Sequence, residues 1–145
     1  MRTVLLVEDV AEIRAVFQLL LEELGHRVLT AENGVEGFLT AAKRLPDLIV
    51  TDWTMPELDG VGLCERLKKY PALALIPVVM VSALPLPVVE TKLWDAYLRK
   101  PVTPLTLKSK VKRLLARRFK GTVTNSLTPL DAEARLAPVP SKCWP

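Results

Sequence analysis

Cysteine is scarce in this chain: Cys64 and Cys143 are the two, far apart and outside any CxxC pairing. They offer no disulfide framework, so reduced thiols in a cytoplasmic setting are the reading. No apolar run approaches the ~20 residues a membrane-spanning helix needs, which excludes membrane insertion. Met1-Arg2-Thr3 leads straight into a strand pattern, so no signal peptide is expected. A GxxxxGK loop is missing, which argues against a P-loop nucleotide enzyme. What remains is 145 residues, 50% hydrophobic and 25% charged, enough for one domain with a sizeable core.

Acidic residues are missing from one stretch. Residues 1–98 hold 9 basic and 14 acidic groups, a balance of −5, whereas residues 99–120 hold 9 basic and none acidic. Such a stripe can mark a nucleic-acid or membrane surface. The blander reading is a solvated helix whose late cations, Arg113, Arg117, Arg118 and Lys120, favour the negative end of its dipole. That reading is preferred, because no aromatic or glycine pattern accompanies the charge.

Apolar runs alternate with helix-period segments from the start. Val4–Val7, Arg27–Thr30, Leu48–Thr51, Val78–Val81 and Tyr97–Arg99 read as strands. Ile13, Phe17, Leu20, Leu21 and Leu24 place a helix at 10–24, closed by Gly25, with His26 expected to be exposed beyond it. Asn33, three residues ahead of Glu36, caps a second helix at 34–44. Gly60–Lys69 reads as a third. Thr103-Pro104 opens the last helix, whose apolar face is Leu107, Val111, Leu114 and Leu115. Strands alternating with helices predict right-handed crossovers and a parallel sheet covered on both faces. Residues 121–145, with four prolines and no sustained period, read as a tail or linker that is not structured.

Four of the apolar runs end on polar residues: Glu8-Asp9, Asp52, Ser82 and Lys100. In one parallel sheet these meet at the carboxyl edge, where open α/β sheets bind ligands. Asp52 opens the string Asp-Trp-Thr-Met-Pro-Glu-Leu-Asp-Gly over 52–60. With Glu8-Asp9 ahead and Ser82 and Lys100-Pro101 behind, it closely resembles the receiver domain of two-component response regulators. The resemblance covers about residues 2–118. It implies a flavodoxin-like (βα)5 fold, a doubly wound five-stranded sheet in the order 2-1-3-4-5, with the receiver at 1–120.

The resemblance also assigns roles. Asp52 is the phosphoacceptor, a carboxylate nucleophile. Asp9, Asp52 and the backbone carbonyl of Thr54 hold Mg²⁺ (or Mn²⁺), with Glu8 acting mainly through water. The metal and Lys100 offset charge on the transferring phosphoryl group. Ser82 is the switch hydroxyl and Tyr97 the switch aromatic, and Lys100-Pro101 carries a cis peptide that aims the lysine. Phosphate then shifts the population of two pre-existing conformations. The implied partners are a sensor histidine kinase or histidine phosphotransfer protein and a downstream protein target, with a homodimer that forms on phosphorylation as a further option. The protein would be no enzyme beyond its own phosphorylation and dephosphorylation, and His26 would not be a phosphodonor.

The chain departs from the family between Ser82 and Lys100. Only the 17 residues of 83–99 lie there, Pro85 and Pro87 crowd the start, and Leu93-Trp94 stands where the family has a small Gly-Ala pair. A fourth helix of about two turns, or an irregular one, is expected. Twenty-five tail residues cannot hold a helix-turn-helix domain, which argues against direct DNA binding. The competing readings are a degenerate receiver serving as a scaffold and, further off, an Asp-nucleophile phosphatase. The second acid which that phosphatase class usually needs is replaced by Thr54.

Overall fold

The computed structural model describes residues 2–85 and 93–121, with side chains described as far as residue 117 in the final helix. Five strands, β1 (Thr3–Val7), β2 (Arg27–Ala31), β3 (Leu48–Asp52), β4 (Val78–Ser82) and β5 (Ala96–Arg99), form one sheet in the order β2-β1-β3-β4-β5. All neighbouring pairs are parallel. The strand runs are continuously apolar because both faces are covered. Leu5, Val7, Ile49, Val78 and Met80 face one layer of the core, packed by α2 (Gly34–Arg44), α3 (Gly60–Lys68) and the short α4 (Pro71–Ala74). Val4, Leu6, Leu48, Val50, Val79 and Val81 face the other, under α1 (Ala11–Glu23) and α5 (Pro104–Gly121). This is the flavodoxin-like order the sequence implies.

Local chemistry explains the element ends. Asn33 Oδ1 accepts a hydrogen bond from Glu36 N at 2.8 Å and caps α2. The reciprocal bond to Glu36 Oε2 comes from Glu32 N at 3.3 Å, one residue ahead of the cap. Gly25, with φ +90°, turns the chain out of α1 in a conformation that side chains with a Cβ rarely adopt. Thr103 Oγ1 accepts from Thr106 N at 3.2 Å and starts α5.

Several details differ from the sequence reading. Strands β2, β3 and β4 each run one residue further than expected, so Asp52 and Ser82 are the last residues of their strands. Pro71, beyond the expected third helix, opens the short α4, where its missing N–H costs nothing. His26 is half-buried, not exposed, because the turn after α1 folds it back against the amino edge of the sheet. The expected short fourth helix falls on 83–99, of which residues 86–92 lie outside the described residues; 83–85 and 93–95 are not helical. The final helix runs to Gly121, and the expected tail beyond it also lies outside the described residues.

Candidate functional site

Parallel strands bring their carboxyl ends to one edge, and the sequence puts acids and one lysine there. Asp52 closes β3, Glu8 and Asp9 follow β1, and Lys100 follows β5. Carboxylate oxygens of Glu8, Asp9 and Asp52 lie within 4.8 Å of one another. Lys100 Nζ stands 3.3 Å from Glu8 Oε1 and 3.3 Å from Asp52 Oδ2. The Lys100–Pro101 peptide is cis, as the resemblance implies.

The acids differ in environment. Asp9 is exposed, whereas Glu8 is 2% exposed and its Oε2 has no hydrogen-bond partner among the described residues. Burial, reinforced by hydrogen bonding to Asp52 and repulsion from its charge, pushes the Glu8 carboxyl up to about 7; Lys100 opposes this. Three carboxyl groups against one contacting ammonium, with a buried oxygen unpaired, fit a hard divalent cation that takes oxygen ligands. Thr54 is exposed two residues beyond Asp52.

Backbone contacts fix the acid-bearing loops. Glu8 N donates to Ala31 O at 3.0 Å, and Arg14 Nη1 donates to Glu8 O at 2.8 Å. Trp53 N donates to Asp52 Oδ1 at 2.9 Å, which orients the carboxylate. Gly60 N reaches back to Trp53 O at 2.7 Å. A Cβ at Gly60 would run into the Asp52 carbonyl and lie 2.8 Å from Met80 Sδ, so only glycine permits this close approach of loop to strand.

Ser82 and Tyr97 are joined through one residue. Ser82, 3% exposed, accepts from Leu84 N on its Oγ at 3.1 Å, and Tyr97 OH donates to Leu84 O at 2.8 Å. Tyr97 also packs in a triangle with Trp53 and Trp94, ring centroids 5.6 to 6.1 Å apart. Trp94 is 7% exposed, part of the core. Of the residues singled out in the sequence, the structure brings Glu8, Asp9, Asp52 and Lys100 together and joins Ser82 to Tyr97 through Leu84. Sequence reasoning missed Arg14, the tethering of Leu84 and the ring triangle; three bulky aromatics near the same two strand ends were the available signal for the last.

A family model described as "Response regulator receiver domain" matches residues 4–112. A probable transcriptional regulator ycf27 from Pyropia yezoensis is 36% identical over 129 residues, 86% of this chain and 51% of that protein. The phosphate regulon transcriptional regulatory protein PhoB of Pseudomonas aeruginosa is 34% identical over 126 residues, 83% of this chain and 54% of that protein. This chain thus spans about half the length of these relatives, whose names do not fit the expectation against DNA binding. Among solved structures, the signal receiver domain of a signal transduction histidine kinase from Syntrophus aciditrophicus superposes with TM-score 0.77 at 34% identity, covering 88% of this chain and 98% of that one. The chemotaxis protein CheY4 of Vibrio cholerae gives TM-score 0.72 at 28% identity, covering 79% and 98%.

Proposed function

Because the chain belongs to the response regulator receiver family, we propose that Asp52 accepts a phosphoryl group from a phosphohistidine of a partner kinase or histidine phosphotransfer protein. The observation that supports this most is the meeting of Glu8, Asp9 and Asp52 oxygens within 4.8 Å, with Lys100 Nζ 3.3 Å from Asp52. An Asp52 oxygen bonds to phosphorus as the phosphorus–nitrogen bond to the donor histidine breaks, and the released imidazole takes up a proton. A carboxylate nucleophile needs no general base to activate it. Trp53 N holds one of its oxygens and Lys100 faces the other, so the nucleophile is oriented before the donor arrives. Lys100 then balances charge on the phosphoryl oxygens. Asp9, Asp52 and the Thr54 carbonyl would hold Mg²⁺ (or Mn²⁺), with Glu8 contributing mainly through water; the ion supplies electrostatic stabilisation of the transferring group.

Phosphate on Asp52 creates new acceptor oxygens close to the ends of β3 and β4. The Ser82 hydroxyl gains a charged acceptor to donate to, and a turn of the side chain toward it would draw Oγ away from Leu84 N. Releasing Leu84 alters the carbonyl that anchors Tyr97, and this carries the signal to a protein partner. The reading places the protein in the cytoplasm, as a signalling module and not a turnover enzyme. The test is incubation of the full chain with acetyl phosphate and Mg²⁺, followed by intact-mass measurement. One phosphoryl group is expected, and none in Asp52→Asn. Absence of any incorporation in the unaltered chain would instead support a phosphorylation-independent scaffold.

A further inference from the structure

The charge on α5 has no use in the reaction at the carboxyl edge. Lys108, Lys112, Arg113 and Arg117 are exposed and Lys110 is half-buried, while Leu107, Val111, Leu114 and Leu115 turn to the core. None of these five cations has a hydrogen-bond or ion-pair partner among the described residues. The helix dipole accounts for cations only in the last turn. Lys108, Lys110 and Lys112 lie mid-helix, where it gives them nothing. Lys108 with Lys112, and Arg113 with Arg117, are like charges four residues apart, which weakens a helix. The charge is therefore held against the interest of the fold.

The pattern is linear. Lys110, Arg113 and Arg117 recur at spacings of three and four along one flank of the exposed face, and Lys108 and Lys112 lie four residues apart on the other flank. From 110 to 117 the stripe is about 10 Å long at 1.5 Å per residue. A protein partner would need an apolar or aromatic anchor at the centre of the contact. Among the described side chains of α5, the large apolar one that is exposed is Leu105, at its far end. A flat anionic membrane would also meet the rest of the domain, whose residues 1–98 carry 14 acids against 9 bases. A second copy packed α5 on α5 would oppose like charges. A rod of phosphates, with one charge per ~1.7 Å of duplex axis, touches the stripe alone.

We propose that α5 is a contact surface for the phosphate backbone of nucleic acid, binding chiefly by charge. The test is fluorescence anisotropy of a labelled duplex of about 20 base pairs, titrated with the full chain between about 50 and 200 mM NaCl. Micromolar to sub-millimolar binding is expected, with a log–log salt slope of about −3 to −4 for four contacted phosphates. Lys110→Gln/Arg113→Gln/Arg117→Gln should weaken binding at least tenfold and flatten the slope by about 2 to 3. Arg27→Gln/Lys43→Gln/Arg44→Gln, which removes the same charge from other exposed sites, should stay within about twofold of the unaltered chain. Equal loss in both triple variants would reduce the effect to net charge and overturn the proposal. So would a slope near zero, or tighter binding to polyglutamate or phosphatidylserine vesicles than to the duplex.

Discussion

At the β1–β3 end of the carboxyl edge, groups meet through charge: Glu8, Asp9 and Asp52 crowd together and Lys100 spans two of them. At the β4–β5 end they meet through a shared backbone residue and ring packing, with Leu84 held by Ser82 and Tyr97, and Tyr97 held by Trp53 and Trp94. Trp53, the neighbour of Asp52, and Lys100, whose backbone N–H donates to Ser82 O at 2.8 Å, touch both. The first end is set by strand order and residue type and depends little on exact packing. The second depends on how large side chains fill space. Changes at the first should therefore alter chemistry while sparing the fold, and changes at the second should do the reverse.

Trp94→Ala is the strongest challenge to that division. Truncating a buried tryptophan costs about 3–5 kcal/mol, a large share of the ~5–15 kcal/mol stability of a typical domain. Urea unfolding should show the loss, with Trp94→Phe recovering much of it. A cost below about 1 kcal/mol would remove the triangle from the core. Lys100→Met probes the other end. Phosphorylation by acetyl phosphate should slow about 10²–10³-fold, the usual effect of losing one preorganised charge-stabilising donor. An unchanged urea midpoint should accompany it; unfolding instead of slowed chemistry would make the lysine structural.

Tyr97→Phe tests the link between the ends. It removes the hydroxyl bond to the Leu84 carbonyl and leaves the ring, so about 1 kcal/mol of stability should go. Indole fluorescence should report the consequence, because Trp53 packs on the Tyr97 ring and adjoins Asp52. In the unaltered chain a phosphate mimic with Mg²⁺ should change that emission. In Tyr97→Phe the change should be smaller, and an identical response would show that Tyr97 is not coupled to the site.

The same contrast explains what could be read from sequence. Continuously apolar strand runs, helix caps such as Asn33 and polar residues at four strand ends are local patterns, and they place the strands, the helices and the charged residues, while the strand order is implied by the resemblance to the receiver family. The tether on Leu84 is invisible because backbone atoms make it, and a leucine carries no mark of its carbonyl's partner. Trp94 was legible only as a departure from a small-residue pair; that it packs against Trp53 and Tyr97 requires knowing which strands are neighbours. Pro71 starts or ends a helix with equal ease in sequence, and its place in α4 follows from Leu73 and Ile76 packing into the core. The half-burial of His26 depends on where the turn after α1 lies against the sheet.

His26 carries the smallest expected effect. Its pKa is lowered from the ordinary 6.5, first by burial and then by neighbouring positive charge that includes Arg2, with Asp47 opposing. Nδ1 has no partner among the described residues to offset the loss of water. The unfolded chain therefore binds a proton before the folded one does, so stability falls as pH drops below about 6.5 and is fully present above it. Glu8 works in the opposite sense in metal-free protein: its carboxyl, raised from 4.5 to about 7, favours the folded state at low pH and loses that contribution as pH climbs to 7. Comparing the unaltered chain with His26→Gln cancels the Glu8 contribution, which both share. Urea midpoints at pH 7.5 should differ little once offset for the substitution, and the gap should move in favour of His26→Gln at pH 5.5, a shift worth a few tenths of a kcal/mol at most for a half-exposed ring. A gap that moves the other way would mean the folded protein prefers protonated His26, and the amino edge would then be the place where a charge is stabilised instead of excluded.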